Sequence, residues 1–379
     1  ITTESTQSVG LQVGRLSAIS TVGSVIGTLL ISYLLIPLAP NTYTMIMVVA
    51  LEIVLVAVYF LIFEKGFKQT PGVLPGILAG MVICGIAGRV EAVKSPSIGK
   101  ELFRKNSNFG LMQVVDSPSG NVRYYLNDYL TQNIFDPKED KSLTVFTYML
   151  RGLTHAYHPS PEKVLCIGLG VGIVPMQLAK EGSTIDVVEI NPGVVEIGEK
   201  FFGLDKSTFN LHLEDGRYFL NASKEEYDVV ILDAFLGDSS PSHLMSRECF
   251  ESMSQRMEND AVLVINAFGH FSEGEDFFMA SLDKTLRAVF KSVHIHDGTR
   301  GNVFFVASKK EGLEPHRSMD MSEVHPKLIP FVETAWKNTI DANPESGIIL
   351  TDNYNPVEYY DSKIREEIRL NFALNMRGK

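Results

Sequence analysis

The sequence is poor in cysteine and carries no surplus of positive charge, and each shortage closes off a class of function. Its three cysteines, Cys84, Cys166 and Cys249, are an odd number, far apart, with no C-x-x-C pair. Neither a disulfide framework nor a zinc knuckle can be built from them, no metal site is expected, and a reducing compartment fits. The net charge of −11 argues against a nucleic-acid partner, since phosphate backbones are held by clustered Lys and Arg. It is compatible with a cationic small substrate. The opening stretch ITTESTQSVGLQVGR (1–15) does not have the shape of a signal peptide, with no basic start, short apolar core and small-residue cleavage site. With Ile1 in first place rather than Met, the chain reads as a fragment or processed product of something longer.

Charge is itself almost absent from three stretches, 16–39, 43–63 and 73–88, whereas everything after about residue 100 has the mixed composition of a soluble protein. Leu16 to Ala39 is long enough to cross roughly 30 Å of hydrocarbon as a helix. Its Ser17, Ser20, Gly23, Ser24 and Gly27 form a small-residue stripe that admits a second helix closely. The second run, Tyr43 to Phe63, has Glu52 near its middle. A carboxylate there is protonated, paired inside a bundle, or functional. The third run is short and interrupted by Pro75, Gly76, Gly80 and Gly85, so it spans or is re-entrant. Arg89, Lys94, Lys100, Arg104 and Lys105 beyond it, against Lys65 and Lys68 beside Glu64 before it, favour a cytoplasmic C-terminal region. Residues 1–90 are therefore expected to be a transmembrane segment of two to three helices with the lipid bilayer as partner.

Residues 91–140 read as a linker and a small β-hairpin domain, with two strands within 109–130 around an SPSG turn. From Lys163 the pattern becomes strand, glycine loop, helix, strand, helix. Strands are expected at 163–168, 184–189, 211–213, 228–233, 261–267, 293–296 and 302–308, and helices at 173–181, 192–202, 246–257 and 276–290. The fold class is α/β: a doubly wound, Rossmann-like sheet of the methyltransferase type over 141–379, preceded by the small β-structure and the transmembrane helices. Ligands of such sheets bind beyond the carboxyl ends of the strands.

Those ends hold the candidate residues. KVLCIGLGVGIV (163–174) closes a buried strand with Gly168, Gly170 and Gly172, which let the backbone turn tightly beside a ligand at a helix start. The position where a dinucleotide fingerprint has its last glycine is Ile173, which tilts the reading toward an S-adenosyl nucleotide. The next strand, in IDVVEI (185–190), ends in Glu189, placed to accept both ribose hydroxyls. LEDGRYFL (213–220) puts Asp215 and Gly216 on a turn after the third strand, where Asp215 suits an adenine amine; taken alone, an Asp-Gly turn is as good a reading. YDVVILDAFLGDSSPSHLMSRECF (227–250) puts Asp233 at the end of a buried strand. An amine acceptor is protonated at neutral pH, and a carboxylate there holds it, orients it and takes its proton.

Together the glycine loop, VVEIN, EDGRYFL, YDVVILDAF, P-S-H-L and GNVFFVAS resemble the spermidine synthase (polyamine aminopropyltransferase) family, and more closely its membrane-fused bacterial branch, which LISYLLIP and LTDNYNPVE also resemble. The resemblance covers roughly 105–310. It implies a bacterial inner-membrane protein with a cytoplasmic catalytic domain that uses decarboxylated S-adenosylmethionine or S-adenosylmethionine as co-substrate. In such a protein Glu189 and Asp215 hold the nucleotide, Gln132 lines the site, Asp233 is the catalytic acid/base, and the domain is a homodimer. The sequence departs from the family where the polyamine binds. Val171 replaces an Asp of the glycine loop, Leu236 and Gly237 stand where Asp-Pro is usual, and the positions of a polyamine-binding Tyr and Glu align with Phe146 and Tyr148. Asp238 and Tyr148 are the remaining candidates for the acceptor, which is a small-molecule amine or a membrane-borne nucleophile. Two other readings stay open: a methyltransferase on the same nucleotide cradle, and a non-catalytic module that senses an adenosyl nucleotide or polyamine for a transporter. His294 and His296 alternate on a strand without a third ligand, which favours a surface pair over a metal site.

Overall fold

The computed structural model describes residues 9–62, 72–93, 99–128, 130–235, 240–272, 276–298, 301–340, 346–360, 362 and 366. By contact the chain divides into two units, Ile1–Ser95 with Asn106–Asn108, and Pro96–Lys105 with Phe109–Lys379.

In the first unit three helices, Val9–Leu38, Asn41–Ile62 and Val73–Val90, are long and apolar enough to cross a membrane. The third runs as one helix to Val93, through Pro75, Gly76, Gly80 and Gly85. Pro75 lies in its first turn, where a missing N–H leaves no intrahelical bond unmade. Gly80 and Gly88 face the second helix: a Cβ at Gly80 would come within 3.1 Å of Ile53, and one at Gly88 within 3.6 Å of Ile46. In the first helix the turn at Ile31–Leu35 is widened to a π-helical one. Pro37 follows directly, and the wider turn takes up the clash its ring makes with the preceding turn. The hydroxyls of Thr21 and Thr28 donate to the carbonyls of Ser17 and Ser24 at 2.9 Å each, which satisfies them without another helix. Glu52 is exposed on the second helix.

The second unit opens with a five-stranded sheet in sequential order: β1 (Lys100–Ser107), β2 (Gly110–Asp116), β3 (Arg123–Asn127), β4 (Leu130–Asp136) and β5 (Lys141–Ser142). β2 and β3 are the expected pair around the SPSG turn, registered from Met112 opposite Asn127 to Asp116 opposite Arg123. The other three strands go beyond the expected hairpin, because charged KELFRKNS and LTQNIFD lack clean alternation. A helix absent from the sequence reading, Val145–Tyr157, follows and buries Tyr148, Met149, Leu150 and Leu153.

The larger sheet contains β6 (Lys163–Ile167), β7 (Thr184–Val188), β8 (Asn210–His212), β9 (Tyr227–Leu232), β10 (Met257–Phe268), β11 (Ser292–Asp297) and β12 (Asn302–Ser308), in the spatial order β11-β12-β10-β9-β6-β7-β8. β6 to β10 are parallel to one another, while β12 is antiparallel to both β10 and β11. Alternate residues feed two cores. Val164 and Cys166 pack with the helices Val145–Tyr157, Ile173–Lys180 and Pro192–Phe201 on one face, and Leu165 and Ile167 with Arg247–Gln255 and Phe277–Arg287 on the other. Burial on both faces is why these strands read as apolar runs. The expected elements recur with ends shifted by up to four residues, and Gly216–Ala222, expected as a turn, is a short helix.

The chain starts in β6, moves outward through β7 and β8, then returns to β9 on the other side of β6. The seam between β6 and β9 is thus the switch point, where a crevice opens beyond the strand ends. Gly168, just past β6, has φ +99°, and a Cβ there would lie 2.1 Å from the carbonyl oxygen of Asp233. Gly170 has φ +54°, and its Cβ would meet nothing closer than Asn133 Oδ1 at 3.3 Å. Gly168→Ala must therefore push the ends of β6 and β9 away from each other and is expected to cost ~3 kcal/mol or more, against ~1–2 for Gly170→Ala, which meets only the left-handed backbone penalty. Thermal unfolding of the two variants side by side measures the gap.

Candidate active site

Beyond these strand ends lies an open cleft whose lining includes Gly168, Gly170, Glu189, Asp215, Gly216, Asp233 and Gln132. Four elements deliver most of them: the loop after β6, the ends of β7 and β9, and the N-terminus of the helix Gly216–Ala222. Two residues singled out in the sequence lie elsewhere. Gly172 caps the helix Ile173–Lys180, where a Cβ would meet Leu204 at 2.1 Å, so its bareness serves packing. Tyr148 is 3% exposed and donates its hydroxyl to the Ser142 carbonyl at 2.8 Å, turned away from the cleft. Burial pushes its phenol up to about 12. Asp238 lies outside the described residues.

Glu189 is buried at the end of β7. One carboxylate oxygen accepts from the amide of Leu169 at 3.1 Å and the other from that of Asn191 at 2.7 Å. Burial raises its pKa, and these amides, with that of Ile190, pull it back down. The same carboxylate thus ties the glycine loop to the end of the next strand. Asp215 caps its helix through the Tyr218 amide at 2.9 Å and meets His243 Nε2 with its other oxygen at 2.9 Å. Each oxygen keeps lone-pair capacity for a ligand donor. Phe109, Phe146, Phe235 and Leu244 supply apolar walls.

Asp233 stands where the cleft meets a second hollow, whose lining also includes Gln132, Phe146, Phe235, Asn266 and Asn302. Its Oδ1 accepts from Asn266 Nδ2 at 2.8 Å, and Asn266 Oδ1 accepts from Asn302 Nδ2 at 2.9 Å. Burial lifts the Asp233 carboxyl to about 6, with the Asn266 bond pulling the other way. A carboxylate tuned that way is ionised at neutral pH and still a competent proton acceptor. Val171, in place of the family's acidic loop residue, lines a small recess behind the glycine loop that Asp233 also lines.

Asn266 and His243 join the site without having been candidates in the sequence. Both left a trace: Asn266 is the polar break in the buried run VLVINAF, and His243 belongs to the P-S-H-L motif. His243 sits on a wall fixed from far along the chain. Asn355 donates to the Ser242 carbonyl at 2.7 Å, Ser242 donates to Glu358 at 2.9 Å, and Arg217 bonds both Asp352 at 2.6 Å and the His243 carbonyl at 3.2 Å. His296 corrects the surface-pair expectation. It is 2% exposed, bonded to Tyr157 and the Trp336 carbonyl at 3.0 Å each, stacked on the Trp336 ring, and driven down to about 4 by burial. Among the described residues no group of three or more His, Cys, Asp or Glu could hold a metal ion.

The spermine/spermidine synthase domain model matches residues 144–296. The polyamine aminopropyltransferase of Vibrio vulnificus (strain CMCP6) is 31% identical over 236 residues, which cover 58% of this chain and 77% of that one. That of Streptococcus pneumoniae serotype 4 is 26% identical over 224 residues, 56% of this chain and 76% of the relative. The crystal structure of a probable spermidine synthase from Corynebacterium glutamicum shares the fold, with a TM-score of 0.50 at 13% identity over 72% of this chain and 94% of that one.

Because both oxygens of Glu189 accept backbone amides, Glu189→Gln leaves one buried N–H facing an amide donor. The substitution is expected to destabilise the protein by about 1–3 kcal/mol, read as a lower thermal midpoint. Glu189→Asp, too short to reach both amides, is expected to lose a similar amount.

Proposed function

Since the chain belongs to the spermine/spermidine synthase family of aminopropyltransferases, we propose that it moves the aminopropyl group of decarboxylated S-adenosylmethionine to an amine at the cleft beyond β6, β7 and β9, releasing methylthioadenosine. The observation that carries the choice of donor is the charge of the lining. Glu189, Glu214, Asp215 and Asp233 are acidic, and no Lys or Arg is among the described residues that line the cleft. Intact S-adenosylmethionine has a carboxylate that would need a cationic partner here. The decarboxylated form carries only a sulfonium and an ammonium, both attracted.

In this reading Glu189 accepts the ribose hydroxyls and Asp215 the adenine amine, while Gly168, Gly170 and Gly216 form the backbone cradle and Gln132 lines the site near the nucleotide. Asp233 takes a proton from the incoming ammonium. The freed nitrogen pair attacks the methylene beside sulfur, the C–N bond forms as the C–S bond breaks, and the bonding pair stays on sulfur as a neutral thioether. Asn266, itself steadied by Asn302, holds Asp233 in place for that transfer. Methyl transfer would need the methyl carbon rather than the propyl methylene turned toward the acceptor, and family membership favours the propyl arrangement. A sensor without turnover would have no use for a carboxyl raised to about 6. The three apolar helices support attachment to a bilayer, and the basic residues after the third support a cytoplasmic catalytic unit.

The test is a pH profile with and without the base. A carboxyl with a folded pKa of about 6 makes kcat/KM fall on the acid side through that pH. Asn266→Ala removes the bond that favours the ionised form, so the acid limb is expected to move to higher pH. Asp233→Asn is expected to lower kcat at least ~100-fold. The linkage has a definite sign: a carboxyl raised above its unfolded value stabilises the fold below about pH 4 and loses that contribution as pH rises through 6. At neutral pH the buried charge costs up to about 3 kcal/mol, so Asp233→Asn should also melt higher than the parent. An unchanged rate of methylthioadenosine release in Asp233→Asn would refute the assignment.

A further inference from the structure

LTDNYNPVE (350–358) takes no part in the chemistry proposed above, yet it lies against the wall of the cleft that carries His243. Burial anchors it at two points: Leu350 and Val357 are each 1% exposed, in the core that also holds Leu244. Three of its polar side chains turn to one place. Asn355 donates to the Ser242 carbonyl at 2.7 Å, and Glu358 accepts from the Ser242 hydroxyl at 2.9 Å. Asp352 accepts from Arg217 through both oxygens and from the Ser246 hydroxyl at 2.6 Å. Arg217 is the second residue of the helix that Asp215 caps, and Ser242 and Ser246 flank the turn that carries His243. Asp352 therefore bridges the two elements whose side chains meet in the Asp215–His243 contact. Burial of Leu350 and Val357 would suffice to seat the segment, and the polar bonds add a fixed direction for His243.

A carboxylate only accepts, so Nε2 of His243 is the donor to Asp215. With the Tyr218 amide on its other oxygen, the Asp215 carboxylate is held at both ends. Without His243 it keeps one of these bonds and turns about the broad terminal torsion of an Asp side chain. A ligand must then order the carboxylate as it binds, which costs affinity. Resting on the reading of Asp215 as the partner of the adenine amine, we infer that His243 is a positioning residue for the nucleotide and that 350–358 acts through it. None of 350–358 is among the described residues that line the cleft, and the segment still sets the affinity for an adenine nucleoside.

The experiment titrates the full chain in detergent with methylthioadenosine by calorimetry, well below its melting temperature. His243→Ala is expected to weaken binding about tenfold, the worth of one hydrogen bond to a charged group. His243→Gln, whose amide nitrogen can take the place of Nε2, is expected to stay within about threefold of the parent. Asp352→Ala is expected to lose about tenfold as well, and the double variant Asp352→Ala, His243→Ala about the same tenfold rather than about a hundredfold, because both changes act on one contact. With decarboxylated S-adenosylmethionine the same losses appear in KM, and kcat stays within about twofold. A merely structural segment would lower the thermal midpoint and leave Kd unchanged. That result overturns the inference, as do losses that multiply in the double variant or a His243→Gln as weak as His243→Ala. If Asp352→Ala does not fold, Asn355→Ala, which removes a single bond, replaces it in the cycle with an expected loss of at least ~3-fold. A parent that binds methylthioadenosine but transfers nothing refutes the transfer reading alone, and the binding cycle still decides the inference. A parent that does not bind methylthioadenosine refutes both.

Discussion

The catalytic unit is organised around the close approach of Gly168 to the carbonyl of Asp233. Two parallel strands that are neighbours in space but far apart in sequence end side by side, and the space between their ends has no room for a side chain. The glycine loop begins at one of these ends and the candidate base at the other, so the backbone proposed to cradle a nucleotide and the carboxylate proposed to take a proton are set against each other by main-chain geometry. Glu189 extends the same arrangement one strand further, because its two amide bonds fasten the loop after β6 to the turn after β7. Side chains tune this corner of the sheet, and the backbone places it.

The electrostatics follow from that placement. Asp233 and Glu189 are both raised by burial, and each is restrained by hydrogen bonds to its ionised form, from an asparagine side chain in one case and from backbone amides in the other. Keeping these two carboxylates charged away from bulk water costs the fold free energy, and a cationic ligand would offset that cost. The binding energy of such a ligand therefore includes the release of a cost already present in the fold.

Much of this was legible in the sequence because parallel strands buried on both faces write themselves as apolar runs, and a carboxylate that ends such a run is conspicuous. IDVVEI and YDVVILD point to Glu189 and Asp233 on that basis. What escaped depended on elements whose pattern is weaker. The family resemblance sets Phe146 and Tyr148 both at the acceptor. On a helix, positions two apart lie on nearly opposite sides, so Phe146 reaches the cleft while Tyr148 turns to Ser142. Gly172 misleads for a related reason: glycine spacing does not distinguish room for a ligand from room for Leu204. Asn266 is hydrogen-bonded to a residue 33 positions away, a distance at which periodicity carries no information.

The wall that presents His243 has a different origin from the rest of the cleft. Its geometry is fixed by Asp352, Asn355 and Glu358, more than 100 residues downstream of the groups they bond. During synthesis the apolar helices, the meander and every strand of the large sheet leave the ribosome before that contact exists. A nascent chain that has completed β12 thus holds a finished sheet beside an unfinished pocket, and the site gains its last wall only after translation has passed residue 358.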